Sequence, residues 1–217
     1  PAACIKSIEA RLKKLYKKYT ADDIKDIHLL ENLKTALEAI TPADFTRYQK
    51  LLDLLRGKEY AWNPADSGDR VVIFTERIET MKYLAERLRQ DLGLKANAIQ
   101  EISGGMSDAE QQRIVEDFGR TESPVRVLVA SDVAAEGLNL HYLSHRLIHF
   151  DIPWSLMVFQ QRNGRIDRYG QQKRPDIRYM LIECDNKRIK GDMRIIEILI
   201  TKEEQALKNI GDPSLLR

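Results

Sequence analysis

Cysteine is almost absent from this sequence: of 217 residues, only Cys4 and Cys184 carry a thiol. Two thiols so far apart in sequence imply neither a disulfide framework nor a metal site, and they read as buried or incidental thiols in a reducing compartment, expected to be cytoplasmic. Long apolar runs are missing too, since nothing approaches the ~18 uninterrupted apolar residues of a membrane span. The opening stretch, PAACIKSIEARLKKLYKKYT, contains no apolar h-region and does not read as a signal peptide. An excess of one charge is also lacking: 35 Lys and Arg face 33 Asp and Glu, a net +2. Bulk electrostatics therefore marks no polyanion binder, and any basic surface has to be local. There is no low-complexity tail and no internal repeat. What remains is a 43% hydrophobic chain, enough for one domain of ordinary size or one domain plus an appendage.

Residues 1–60 carry helical spacing only. Ile5, Ile8, Leu12, Leu15 and Tyr19 recur at steps of three and four, with Lys and Arg between them. A second helix is expected to carry Ile24, Ile27, Leu33 and Leu37, with Asp22-Asp23 at its start as cap and dipole complement. Thr41-Pro42-Ala43-Asp44 predicts a third helix start, followed by Phe45, Tyr48, Leu52 and Leu55 on one face. From Gly57 to Asp69 turn residues dominate and predict a boundary.

The pattern then changes. Arg70 to Phe74 (RVVIF), Val125 to Ala130 (VRVLVA) and Arg146 to Phe150 (RLIHF) read as buried strands. Weaker strands are expected near Ala96–Ile102 and Arg178–Cys184. Helices are predicted over Glu76 to about Asp91, from Ser107 with Glu110 as a capping pair, and from about Ser155 to Tyr169. This alternation predicts an α/β fold, a doubly wound, mostly parallel sheet over 70–185, between a helical region at 1–60 and a helical brace at 190–217.

The densest chemistry lies in Gln160 to Gln171, QQRNGRIDRYGQ. Arg162, Arg165 and Arg168 are three apart, which predicts one side of a helix or its end. Alone they would read as a solvated basic face, but Gln161, Gly164 and Gly170-Gln171 set them in a fixed polar frame. Gln161-x-x-Gly164-Arg165-x-x-Arg168 resembles the final signature motif of superfamily 2 helicases and translocases. Its continuation to Tyr169-Gly170-Gln171 is similar to the Swi/Snf branch, especially the bacterial RNA-polymerase-associated members. That resemblance implies a second RecA-like lobe whose arginines reach the transferring phosphate of ATP. Guanidinium suits the task, being always charged with a rigid donor fork. Arg165 and Arg168 are then the implied arginine fingers, worth roughly 10³–10⁵ in rate in the best-studied hydrolases. Gln161 is the implied polar partner at the nucleotide.

A second anchor, Val129 to Leu140 (VASDVAAEGLNL), places a small polar turn after a buried strand, where open α/β sheets hold ligands. It resembles the penultimate motif of the same family, implying Asp132, Glu136, Gly137 and Asn139 on the nucleotide side and Ser131 on the nucleic-acid side. DEAD-box RNA helicases usually carry Arg where Glu136 stands. Val71–Thr75 with Arg77, and Ile102-Ser103-Gly104-Gly105 with Arg113 and Phe118, resemble further family segments and imply Thr75, Ser103 and Gly104 as contacts to nucleic-acid phosphates. Trp154 is expected to be a packed surface side chain, with a lobe-closing aromatic as the alternative.

No glycine-rich loop ending Gly-Lys-Ser/Thr is present to cradle phosphates, nor an acidic pair for Mg²⁺. Gly57-Lys58 is followed by Glu59 and fails the pattern. ATP and Mg²⁺ are thus expected to bind mainly to a first RecA-like lobe in a longer parent chain. The partners implied are that lobe, double-stranded DNA and RNA polymerase or another protein. Two alternatives remain open: an adaptor with lapsed motor chemistry, and a lobe of an RNA-unwinding helicase.

Overall fold

The structure, a computed structural model, describes residues 2–18, 20, 23–132, 139–183 and 191–210. The chain forms two compact units, Pro1–Lys50 and Leu51–Arg217. In the first, α1 (Ala2–Leu15) and α2 (Asp23–Glu38) are amphipathic partners. Ile8 and Leu12 bury against Ile27, with Leu15, Leu30 and Leu37 packed around them. Tyr19 and Asp22 lie outside the described residues, and it is Asp23 that accepts from the amide (2.9 Å) and hydroxyl (2.8 Å) of Thr20. The expected helix start at Thr41 is instead a turn. Asp44 accepts from the amide (2.9 Å) and hydroxyl (2.6 Å) of Thr41, and this local pairing competes with helix, so α3 spans Thr46–Arg56.

The second unit is built on five parallel strands: β1 (Arg70–Thr75), β2 (Ile99–Ile102), β3 (Val127–Ser131), β4 (Ser144–His149) and β5 (Asp176–Tyr179). Their order is β2-β3-β1-β4-β5. Four helices accompany them: α4 (Ile78–Asp91), α5 (Asp108–Gly119), α6 (Leu156–Asn163) and α7 (Asp192–Ile210). The chain first runs from β1 outward to β2, then back through β3 and past β1 to β4 and β5. With right-handed crossovers, that reversal puts α4 on one face of the sheet and α5 on the other. Val72, Phe74, Leu128, Ala130 and Leu147 bury one face with Phe118 of α5 and Ile166. Their alternates Val71, Ile73, Val127 and Val129 are equally buried, and α4 contributes Met81, Leu84, Ala85 and Leu88. This is the doubly wound α/β architecture expected from the strand–helix alternation.

Two details fix the frame. Ser107 caps α5 in a complete capping box with Glu110. Arg70, buried at the start of β1, donates to the carbonyls of Ser67 (3.0 Å), Asp117 (3.1 Å), Phe118 and Arg120, satisfying the carboxyl end of α5. Burial, with Arg126 nearby, lowers its pKa to about 10, so it remains cationic at neutral pH.

Three expectations shift. Residues Ala96–Ala98 form a short 3-10 turn before β2. β5 ends at Tyr179, and Cys184 lies outside the described residues. Helix α6 stops at Asn163 rather than reaching Tyr169, because Gly164 closes its last turn by donating to the carbonyl of Gln160 at 2.9 Å. Among the described residues no helix is long and apolar enough to cross a membrane.

Candidate functional site

The carboxyl ends of β1, β3 and β4 are neighbours, and β1 leaves the sheet toward the face opposite to its neighbours' exits. Such switch points are where open α/β sheets bind ligands. Three polar groups meet there. The Asp151 carboxylate, just past β4, accepts from the Thr75 hydroxyl at 2.5 Å and from the Glu76 amide at 3.0 Å. Asp132, just past β3, accepts from Arg162 of α6, Nε to Oδ1, at 2.6 Å. Arg162 also donates to the Asp151 carbonyl (2.8 Å) and carboxylate (3.3 Å), and its guanidinium lies 5.7 Å from the Phe74 ring centroid. The arginine is only 1% exposed, so its charge is tolerable there because both carboxylates compensate it.

His149 supports this clamp from within the sheet. It stacks on Phe159 (5.2 Å) and Tyr179 (4.9 Å), with Nε2 2.8 Å from Asn163 Oδ1. Burial pushes its pKa down to about 4, and the Arg162 charge acts in the same direction against the opposing Asn163 bond. A neutral ring fits both contacts: Nε2–H donates to Asn163, and Nδ1 accepts from Arg162 Nη1 at 3.3 Å.

Beyond α6 the chain crosses the sheet face, with Ile166 in the core, from the carboxyl ends of the strands toward the amino end of β4. Arg168 is exposed and donates through Nη1 to Asn139 Oδ1. Arg165 is half-buried, and its carbonyl accepts from the Leu140 amide at 3.2 Å. Gln171 closes the segment by donating to the carbonyls of Ser144 (2.9 Å), Ile166 (3.1 Å) and His141 (3.2 Å). The preceding Gly170 has φ +96°, a conformation that side chains rarely adopt.

The structure pairs Asp132 with Arg162 at the carboxyl ends of the strands and Asn139 with Arg168 in the segment beyond α6, with Gln161 half-buried on α6. Glu136 and Gly137 lie outside the described residues. Thr75, Ser103 and Ser131 are buried, and Gly104 is exposed in its turn. The Ser103 carbonyl accepts from the Met106 amide (3.1 Å) and from Gln111 Nε2 (3.3 Å).

Two readings of the sequence are corrected. Arg162, Arg165 and Arg168 do not share a helix side, because α6 ends first and Arg162 turns into the core. Trp154 is 72% exposed rather than packed. Sequence reasoning also missed Asp151 and His149. The signal for Asp151 was available, as a carboxylate directly after a buried strand.

Arg168 has no carboxylate partner among the described residues, only the neutral Asn139 amide. An exposed, uncompensated guanidinium suits an anionic phosphate. Among the described residues no group of three or more His, Cys, Asp or Glu could hold a metal ion.

The architecture is that of a RecA-like helicase lobe. It superposes on the C-terminal part of the Fun30 ATPase domain with a TM-score of 0.54 at 16% identity, covering 78% of this chain and 58% of that one. A DEAD box protein from the hyperthermophile Methanococcus jannaschii gives 0.51 at 23% identity, over 75% of this chain and 37% of that one. Residues 46–170 match the helicase conserved C-terminal domain, over half of the chain, and the chain belongs to that family. The RNA polymerase-associated protein RapA of Vibrio campbellii is 33% identical over 110 residues, 51% of this chain but 11% of that relative.

Proposed function

We propose that this chain is the second motor lobe of an ATP-dependent, double-strand-DNA-stimulated translocase of Swi/Snf type. The observation that carries the reading is Arg168: exposed, cationic, and held on the neutral Asn139. A bond with one charged partner contributes about 1.5–3 kcal/mol net, whereas a phosphate adds opposite charge and a second, parallel bond to the guanidinium fork, so it competes well for this arginine. Closing a first RecA-like lobe over the segment beyond α6 would bring Arg165 and Arg168 to the ATP phosphates, where they offset charge growing on the transferring group. Gln161, Asp132 and Asn139 border the same nucleotide, with Glu136 and Gly137 assigned there by motif. That first lobe would supply the phosphate cradle and the Mg²⁺ ligands. Duplex DNA would run past Thr75, Ser103, Gly104 and Ser131, chiefly on backbone groups since three of these side chains are buried. RapA is by name RNA polymerase-associated, which makes RNA polymerase the first protein partner to try.

The test is Arg168→Ala in the complete protein. DNA-stimulated ATP hydrolysis is expected to fall by roughly 10²-fold or more. A rate near that of the unmodified protein would remove the finger role.

A further inference from the structure

The near-neutral chain hides a polarised one. Residues 1–18 hold six of the 35 Lys and Arg but one of the 33 Asp and Glu; they carry +5, and the other 199 residues carry −3. The structure turns this segment into a surface. Ile8, Leu12 and Leu15 of α1 face α2, and Lys6, Arg11, Lys13 and Lys14 are all exposed. At 3.6 residues per turn these four cations fall in one arc of about 160°, opposite the apolar stripe. Lys17 and Lys18, also exposed, extend it through the following turn. The single acid, Glu9, is taken up by Lys34 of α2 at 2.9 Å. Lys13, Lys14, Lys17 and Lys18 form no ion pair with the described residues. Lysines in the last turn of a helix also complement its dipole, but that effect is worth only about 0.3–1 kcal/mol and does not account for six cations.

We propose that this face of α1 is a second nucleic-acid contact, binding the phosphate backbone of a duplex without reading its sequence. Lysine is the suitable cation for this, a mobile point charge that takes any phosphate it meets, and displaced counterions drive the association. An anionic membrane is the poorer partner, because a helix lying on a bilayer needs a free apolar face and that of α1 is packed on α2. The inference shares with the motor-lobe reading only the class of partner. No motif residue of the sheet edge enters it.

The experiment uses the 217-residue chain and a fluorescently labelled duplex of random sequence, titrated across a range of salt concentrations. The variant carries Lys13→Gln, Lys14→Gln, Lys17→Gln and Lys18→Gln, with circular dichroism as a check on folding. The log–log salt slope is expected to shrink by about 0.9 for each phosphate no longer neutralised, up to roughly 3.6 for four, with affinity falling at least tenfold at low salt. A fourfold Lys→Arg variant, which keeps the charge, is expected to bind as the unmodified chain does. Unchanged affinity and slope in the Gln variant would overturn the proposal, as would binding to phosphatidylserine vesicles in preference to duplex. Should the Gln variant unfold, Lys14→Gln with Lys18→Gln alone decides: a slope lower by about 1.8 supports the contact, and no change refutes it. Loss of the motor-lobe reading would show in ATP hydrolysis and leave these slopes untouched.

Discussion

Arg162 Nε and Asp132 Oδ1 stand 2.6 Å apart across 30 positions of sequence, and the arginine, which also meets Asp151, is almost wholly out of solvent. Through this one side chain the exits of β3 and β4 are tied to the last turn of α6. Asp151 extends the tie to β1 through Thr75 and Glu76.

Replacing Arg162 by Ala leaves two carboxylates without their cation. Removing one member of a buried pair costs about 3–5 kcal/mol, and since Asp132 and Asp151 are about a fifth exposed the lower end applies. We expect a loss of about 3 kcal/mol in urea unfolding and a Tm lower by roughly 6–12 °C for a chain of this size. Adding Asp132→Ala should cost less in the Arg162→Ala background than alone, because the two share one interaction. Strict additivity would show that they do not.

The sheet was legible because β1 and β3 are short, Val-rich apolar runs and β4 holds an apolar Leu147-Ile148 centre, the composition that buried parallel strands demand. The α5 start was legible as well, since Ser107 and Glu110 cap locally. Helix α6 was overextended because arginines three apart satisfy helical spacing, while the carbonyl geometry at Gly164 that ends the helix carries no periodic signal. Arg162 was the least legible side chain. A cation on a helix reads as solvent-facing, and the carboxylates that draw it inward lie 30 and 11 positions away. The α1 face escaped notice because its charge is cancelled in the chain total.

Acid should weaken the fold through His149. Its pKa is about 4 when folded against 6.5 as a free side chain, so the unfolded chain binds the extra proton first. Stability is then complete above pH 6.5 and declines as pH falls toward 4, by about 3 kcal/mol in all from this group. Unfolding free energies measured at intervals over that window check it. A His149→Gln variant should show a flatter profile, and an equally steep one would assign the acid sensitivity elsewhere.

The purified 217-residue chain should hydrolyse no ATP above background, with or without duplex DNA, since its sequence contains no phosphate-cradling loop. A phosphate-release assay decides this. Robust turnover by the chain alone would end the idea that it supplies half of a composite site.

The most direct measurement separates hydrolysis from binding. In the complete protein, with Arg165→Ala and Arg168→Ala combined, ATP affinity and DNA-stimulated turnover are read side by side. An arginine finger acts in the transition state more than in the ground state, so kcat should fall by roughly 10²-fold or more while the Kd for ATP changes by no more than a fewfold. Turnover that persists at the original rate would contradict the assignment of this chain as the finger-bearing lobe.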